Sequence, residues 1–594
     1  MSWILEKEYT GKMKKEERNI INKCYKASFI NALASNLTAC ITTIVDGVII
    51  GHFLPHDSMS GYGIAVTLVL LFLVMGMLFS KGTRRCLYNA SGRGADNEVL
   101  NDYYNTSVWS SLIISVIVSV LLFVFANNIT DLIGAKKVNM SIHEACVDYI
   151  KGIAIGAPFM IAGLAANCCI ILDNDARISM ISMVVMIVSD IIGDIIAVAG
   201  NFGIFGIAMA SSVSYILALI TIIPHFFKKS CSYHIRLKPV NVRYLKEIIR
   251  DGTPSTANSF FAACGTVAIN MILLRVASAD EMAAFSVRTN VSNLFGVYGL
   301  AMGAVAFDLG NLMLGEDNRR DFLDIAGISF RKCITVGCIL TVISLIFTPL
   351  IDDMYGHQDI EALVALCVRI YILRIPFQAV LSVYANLSTA LGRRVYSTIL
   401  YVFDDLFFPV MISVLLMSRF KAPGVWVSLT LCVPATLLVT YVYSCVKGGK
   451  LSTSLSGWIM LPEDIGVSDD MYFNSEFNVK DAEKLEDVRK AVSEFFRKKS
   501  DSEETAAFAE EVIETYGRKI IEHGSQSKHS HHMDICAFLK NDDHKIIIKD
   551  DCSSYKLLAE VDKDGRKPGD DIRSKAKVVD YRRIMQINEL RVEF

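Results

Sequence analysis

The sequence predicts a mostly α-helical polytopic membrane protein: twelve transmembrane helices in two six-helix repeats, followed by a cytoplasmic α+β sandwich domain. Three observations carry that prediction. Residues 27–447 are dominated by apolar runs of about 20 residues, the length a helix needs to cross a bilayer. Lys and Arg collect on alternate loops between those runs. Landmark motifs of the first half return in the second at a nearly constant spacing. The whole chain is 52% hydrophobic, above the roughly 45–50% of a soluble domain, although residues 458–594 are charged and read as soluble.

Residues 1–26 form a polar, basic segment without the apolar stretch and small-residue cleavage site of a signal peptide, so the first membrane helix is expected to be kept. The first lobe, 27–227, holds candidate spans at 27–51, 59–80, 104–127, 147–171, 179–200 and 204–227. A charged linker, 228–253, leads to the second lobe, 254–447, with spans at 254–277, 289–313, 331–350, 362–391, 397–417 and 424–446. If all twelve alternate, the basic clusters near Lys14, Arg84, Lys228, Arg319 and Arg393 fall on one side, while 52–58 and 351–361 carry no Lys or Arg. The positive-inside bias then puts both termini in the cytoplasm of a multi-pass plasma-membrane protein, with the lipid bilayer as its first partner.

The repeat is explicit. "RGADNEVLNDYY" and "LGEDNRRDFLDI" put Asp96 against Asp317, an offset of 221 residues. "IGAPFMIAGLAAN" and "LRIPFQAVLSVYAN" put Pro158 against Pro376 and Asn167 against Asn386, offsets of 218 and 219. Two parallel six-helix repeats place a substrate cavity between them near the midplane. Asn167, Asn270, Asn386 and Asp405 are the candidate cavity residues for a small-molecule substrate.

Asp46 interrupts the apolar run "ITTIVDGVIIGHFL". A carboxylate at a membrane-helix centre costs about 2.5–3.5 kcal/mol, so it needs a reason to be there. "MIVSDIIGDIIAV" adds Asp190 and Asp194, four residues apart and therefore on one helix face. Three acids in one lobe suit a Na⁺ or H⁺ site, since a small hard cation takes oxygen ligands. At the repeat offset Asp46 falls near Asn270, so the second lobe lacks an acid at the equivalent place. Asp404 and Asp405, in "YVFDDLFFPV", match Ser189 and Asp190; they line the cavity or sit at a helix end near water. The plainer alternative for the acids is an interhelical polar contact.

Net charge is -2, which gives no ground for nucleic-acid binding. The 15 cysteines lie mostly in apolar runs without a disulfide framework or zinc spacing, so no metal centre is expected. His529, His531 and His532 read as a solvated polar loop. No residue is assigned a catalytic role.

After a polar connector, 448–485, residues 486–594 form the tail domain. Phe508, Val512, Ile513, Tyr516 and Ile520 have helical spacing, and "DICAFLKNDDHKIIIKDDC" reads as a hairpin around "NDD". "VVDYRRIMQINELRVEF" is expected to close with a short helix and a final strand.

"TTIVDGVIIGHFL", "GRGADN", the proline of "IGAPF", the acid pair and "GIFGIAMASSVS" together resemble the MATE family of cation-coupled multidrug exporters over about residues 25–447. The resemblance implies export of amphipathic organic cations in exchange for Na⁺ or H⁺, with a cation site made by Asp46, Asp190, Asp194 and Ser211 or Ser212. Asp190 departs from the family, which has asparagine there. The tail resembles the small ATPase fold of anti-sigma-factor kinases and histidine kinases (GHKL-type). That likeness implies nucleotide-site roles for Glu511 and Asp550. Thr515 or, counted back from "EHG", Lys519 stands where the family has its Mg²⁺-binding asparagine, Cys552 and Ser554 replace two glycines, and only Gly569 stands in the later glycine-rich loop. A degenerate module docking a cytoplasmic protein is the expectation, with ATP as an open alternative ligand. Two other readings stay open: a membrane-embedded sensor or scaffold signalling through the tail, and a lipid-precursor flippase.

Overall fold

The computed structural model describes residues 19–54, 56–93, 95–133, 140–170, 172, 173, 175–228, 231, 233–236, 238–277, 279–348, 361–448, 454–462, 465, 471–500, 502–526, 530–540, 543–555, 557, 558, 570–584 and 587–594. Helices fall on all twelve expected segments. The first lobe consists of α1 (Asn19–Phe53), α2 (His56–Gly92), α3 (Asn97–Val124), α4 (Met140–Ile170), α5 (Ala176–Ala199) and α6 (Gly203–Ile222). The second consists of α7 (Val242–Val276), α8 (Ala279–Gly315), α9 (Arg319–Ile346), the pair α10 (Glu361–Ile372) and α11 (Ile375–Ala390), α12 (Arg394–Val402) and α13 (Phe408–Gly448). Among the described residues, eight helices are long and apolar enough to cross a membrane. One of these is the 55-residue run Arg394–Gly448, which joins the last two expected spans. Lys421, at φ 50°, breaks the helical path within it, and Pro423 follows.

The outer faces are apolar, as lipid requires. Ile113, Val116, Ile117, Val120 and Val124 on α3 are exposed, as are Ile181, Val184, Val188, Ile192 and Ile195 on α5. Inside the first lobe α4 packs on α2, α3 and α6; inside the second α11 packs on α8 and α9. The lobes meet where α2 lies against α7 and α8, and α1 against α8. At one end of this seam Gly92 and Gly315, which close α2 and α8, touch through their backbones. A Cβ on Gly92 would stand 2.7 Å from the Gly315 Cα, so the closed seam requires glycine there.

The tail is a five-stranded antiparallel sheet in the order β1-β2-β3-β5-β4, built from β1 (Tyr472–Asn478), β2 (His532–Lys540), β3 (Asp543–Asp550), β4 (Val578–Ile584) and β5 (Ile587–Glu593). Strand side chains alternate between faces. Ile546 and Ile548 of β3 and Leu590 and Val592 of β5 point to one side, where α14 (Ala482–Ser500), α15 (Glu503–Val512) and α16 (Arg518–Ser525) supply Val488, Phe496, Val512 and Ile520 to the core. Ile547 sits in a separate cluster with Tyr472 and Phe538 on the opposite face, and that face lies on the end of the helix bundle.

Two expectations are corrected. The sheet begins inside residues 448–485, read as a connector, because β1 pairs with β2 along its whole length. The end of the chain is a hairpin and not a short helix with a strand. Val578, Val579, Tyr581 and Ile584 favour a pleated surface, and β4 pairs residue by residue with β5. The hairpin in "DICAFLKNDDHKIIIKDDC" is present as β2 and β3, with positions 541 and 542 outside the described residues.

Candidate functional site

α1 carries Asp46 and packs along α5, which carries Asp190 and Asp194 one turn apart. Tertiary packing brings carboxylate oxygens of all three within 4.8 Å of one another, and all three residues are buried. One oxygen each of Asp46 and Asp190, and both of Asp194, have no hydrogen-bond partner. Among the described residues no Lys or Arg stands against the trio. Like charges about 4 Å apart repel by about 4 kcal/mol at an effective dielectric near 20. A proton or a small hard cation is what this arrangement accommodates. Tyr62, Tyr149 and Tyr215 surround it within electrostatic reach, with the Tyr62 and Tyr149 rings edge to face at 5.2 Å.

The serines divide. Ser211 and Ser214 on α6 are within electrostatic reach of the Asp190 carboxylate, and the Ser214 hydroxyl donates to the Ser211 carbonyl at 2.8 Å. Ser212 turns away and donates to the Gly152 carbonyl at 2.7 Å. Ser214 was absent from the sequence expectation; three residues from Ser211, it shares the helix face that meets α5.

Between the lobes lies a cavity of about 760 Å³. Asn386 and Asp405 line it as expected. Asn167 is not among its lining residues; it sits on α4 with its carbonyl oxygen buried and unpartnered. The side chain of Asn270 lies outside the described residues, although its neighbour Ile269 lines the cavity. The sequence reading missed the basic side chains there: Lys81, Arg84, Arg288 and Arg374. Arg84 pairs with Asp308 across the two lobes. Arg374 sits in the break between α10 and α11 and pairs with Asp404 at 3.1 Å, with Nη1 donating to the Leu429 carbonyl at 2.7 Å. Asp404 and Asp405 belong to a π-helical turn, Phe403–Phe407, that joins α12 to α13. The basic cluster near Arg84, expected between two spans, lies on the long α2, which carries Lys81, Arg84 and Arg85 into the seam.

A second cluster joins Asp173, His225 and Cys231. The His225 ring meets Asp175 at 2.9 Å through Nδ1 and Asp173 at 3.1 Å through Nε2. This ties the turn between α4 and α5 to the end of α6.

In the tail, Glu511 pairs with Lys575 at 3.2 Å. Asp550 is buried, and its oxygens accept from the Cys552 backbone N–H (3.0 Å), Asn588 Nδ2 (2.7 Å) and the Tyr555 hydroxyl (3.1 Å). Gly569 and His529 lie outside the described residues. His531 faces Asp551, its Nδ1 3.0 Å from the Asp551 carbonyl.

The tail's free sheet face touches both lobes. Lys549 pairs with buried Glu316 at 2.7 Å and lies 3.9 Å from Asp321. Arg591 donates to the Gly92 carbonyl at 2.8 Å, and Arg582 donates to the Ser91 carbonyl. Asp551 pairs with Lys23 on α1 at 2.9 Å. The repeated loops that gave the sequence offset are thus the loops on which the tail rests.

A family model described as MatE matches residues 32–196 and 254–413, leaving the tail outside it. The multidrug export protein MepA of Staphylococcus aureus (strain MSSA476) is 22% identical over 421 residues, covering 68% of this chain and 90% of the relative. MepA of Staphylococcus saprophyticus is 22% identical over 425 residues, with the same coverage. Among solved structures, an outward-facing MATE transporter of the MOP superfamily superposes with a TM-score of 0.66 at 17% identity, covering 74% of this chain and all of that one. A MOP superfamily transporter from Pyrococcus furiosus, described as having a binding pocket of reverse polarity, gives 0.65 at 17% identity over 71% of this chain and 95% of its own.

Proposed function

The chain belongs to the MatE family and is therefore a multi-pass membrane transporter of the multidrug-efflux type and not an enzyme; from that premise we propose that it exports amphipathic organic compounds in exchange for Na⁺ or H⁺ by alternating access, in the plasma membrane with both termini cytoplasmic. The observation that carries the coupling is the trio Asp46, Asp190 and Asp194, buried together with unpartnered oxygens. With no ion the three carboxylates repel, which favours α1 and α5 apart. A proton or Na⁺ cancels the repulsion and favours them together. The ion thereby has different affinities for two shapes of one lobe, which is the requirement for it to shift their populations. Ser211 and Ser214 supply further oxygens at Asp190. An organic cation, the substrate class that family resemblance implies, would find Asp405 in the cavity; Asp308 and Asp404 are already held by arginines.

The tail fits a regulatory role in this reading, since a domain bound to both lobes resists their separation. A cytoplasmic protein partner would act by competing for that sheet face. A nucleotide has no assigned place, because Asp550 is engaged by its own domain.

The test is dye counterflow into proteoliposomes under an imposed Na⁺ or pH gradient, with wild type beside Asp46→Asn and Asp194→Asn. Gradient-dependent uptake lost in both variants supports the coupling and identifies the ion. Uptake unchanged in folded variants makes the acids structural.

A further inference from the structure

We propose that the central cavity contains an anion-binding subsite centred on Arg288, so that the exported compound carries a carboxylate or phosphate group on an apolar body. This rests on the exporter reading and names its substrate class.

The charges around the cavity do not balance. Four basic residues, Lys81, Arg84, Arg288 and Arg374, line it with three acids, Asp308, Asp404 and Asp405. Two of the acids are consumed: Asp308 by Arg84 and Asp404 by Arg374. Among the described residues, neither Arg288 nor Lys81 has a carboxylate within ion-pairing distance. Arg288 is instead fixed by aromatic faces, its guanidinium carbon 4.4 Å from the Tyr371 ring centre and 5.4 Å from that of Phe285. Stacking of that kind orients the planar group and leaves its in-plane N–H donors for another partner. A guanidinium lining a cavity matches the two oxygens of a carboxylate or phosphate.

The surroundings agree. Arg374 lies at the start of α11, in the break of a discontinuous helix, and half-helix N-termini at such breaks favour anionic substrate groups. The remaining lining includes Leu164, Ile269, Leu300 and Leu429, which suit an apolar body. A ligand bearing only positive charge would meet Asp405 but also face Arg288 and Lys81 without compensation.

The test is equilibrium binding to the purified full-length protein in detergent, with no gradient imposed, read by fluorescence anisotropy. The probes are carboxyfluorescein, an anion, and ethidium, a cation. Carboxyfluorescein is expected to bind wild type and to bind Arg288→Gln about tenfold more weakly, with Arg288→Lys between them and an unchanged melting temperature confirming the fold. Dodecanoate and dodecyl phosphate are then added as competitors. Displacement by the first assigns carboxylates and by the second phosphates; displacement by neither overturns the subsite. Equal carboxyfluorescein binding by wild type and Arg288→Gln, or binding of ethidium alone, also overturns it. Failure of the exporter reading would show separately, as absent gradient-driven uptake with intact binding.

Discussion

The two lobes share one scaffold and fill it with opposite chemistry. In the first, Asp46, Asp190 and Asp194 stand together without a base, behind tyrosines. In the second, the position matching Asp190 is Asp405, next to an Asp404 held by Arg374, and the stretch matching Asp46 has no acid, with Asn270 nearby. The backbone follows the same division. Pro158 lies within the unbroken α4, whereas its counterpart Pro376 opens α11 after a break that exposes Arg374 to the cavity. A duplicated helix bundle keeps its apolar packing because that packing makes the fold. Its few internal charges are free to diverge, and here the first lobe gathers unpaired acids and the second pairs Asp404 with Arg374.

The largest expected effect separates those roles. Asp194→Asn or Asp46→Asn should lower gradient-driven exchange by about 5–150-fold, the range of a typical coupling free energy. Asp405→Asn should leave the gradient dependence in place. Equal loss in Asp405→Asn, measured in the same proteoliposomes, would break the comparison.

Arg374→Met should come next. It leaves Asp404, 1% exposed, without its cation, at a cost of about 3–5 kcal/mol. Thermal unfolding in detergent should show the loss, and adding Asp404→Leu should recover most of it. No such rescue is expected in the first lobe, where no base pairs with the acids.

The tail is bound to both lobes, and each attachment can be cut alone. Lys549→Met leaves buried Glu316 on the second lobe without its cation and should loosen the tail by about 3 kcal/mol, seen as faster hydrogen exchange in β3 and β5. On the first lobe, besides the Arg591 and Arg582 contacts with Gly92 and Ser91, Asp551 pairs with Lys23. Burial acts to raise the Asp551 carboxyl, but the Lys23 ammonium and the His532 backbone N–H outweigh it and hold it below the ordinary carboxylate range. A depressed folded value means this contact stabilises docking above the free aspartate value of about 3.9 and loses that contribution as pH falls below it. Hydrogen exchange of the tail should therefore accelerate under acid, and Lys23→Ala should flatten that dependence.

The smallest effect distinguishes neighbouring serines. Ser214→Ala should weaken coupling-ion affinity about fivefold, the worth of one hydrogen bond of about 1 kcal/mol. Ser212→Ala, whose hydroxyl donates to the Gly152 carbonyl on α4 and is not near Asp190, should leave ion affinity unchanged.

Legibility follows the range of the forces involved. Helix positions were readable because a membrane helix satisfies its own backbone and needs an apolar run of set length. The pair Asp190 and Asp194 was readable because four-residue spacing places side chains on one helix face. The final hairpin was misread, since "VVDYRRIMQINEL" carries β-branched residues in a pattern that only pairing between β4 and β5 resolves. The first strand was hidden in a polar stretch, because β1 takes its place by pairing with β2 and not from its own apolar content.

The sequence by itself determined the helical repeats, the side of the bundle that gathers basic charge, and the presence of costly acids in one lobe. Those are properties of short windows and of their recurrence. Only the tertiary structure decided which charges meet. It brought Asp46 to α5 and Arg84 to Asp308. It left Arg288 stacked on Tyr371 without an acid, and it set Lys549 on Glu316. Each of these contacts joins residues dozens to hundreds of positions apart, and an ion pair depends on distance in space and on exclusion of water, neither of which is written in the spacing along the chain.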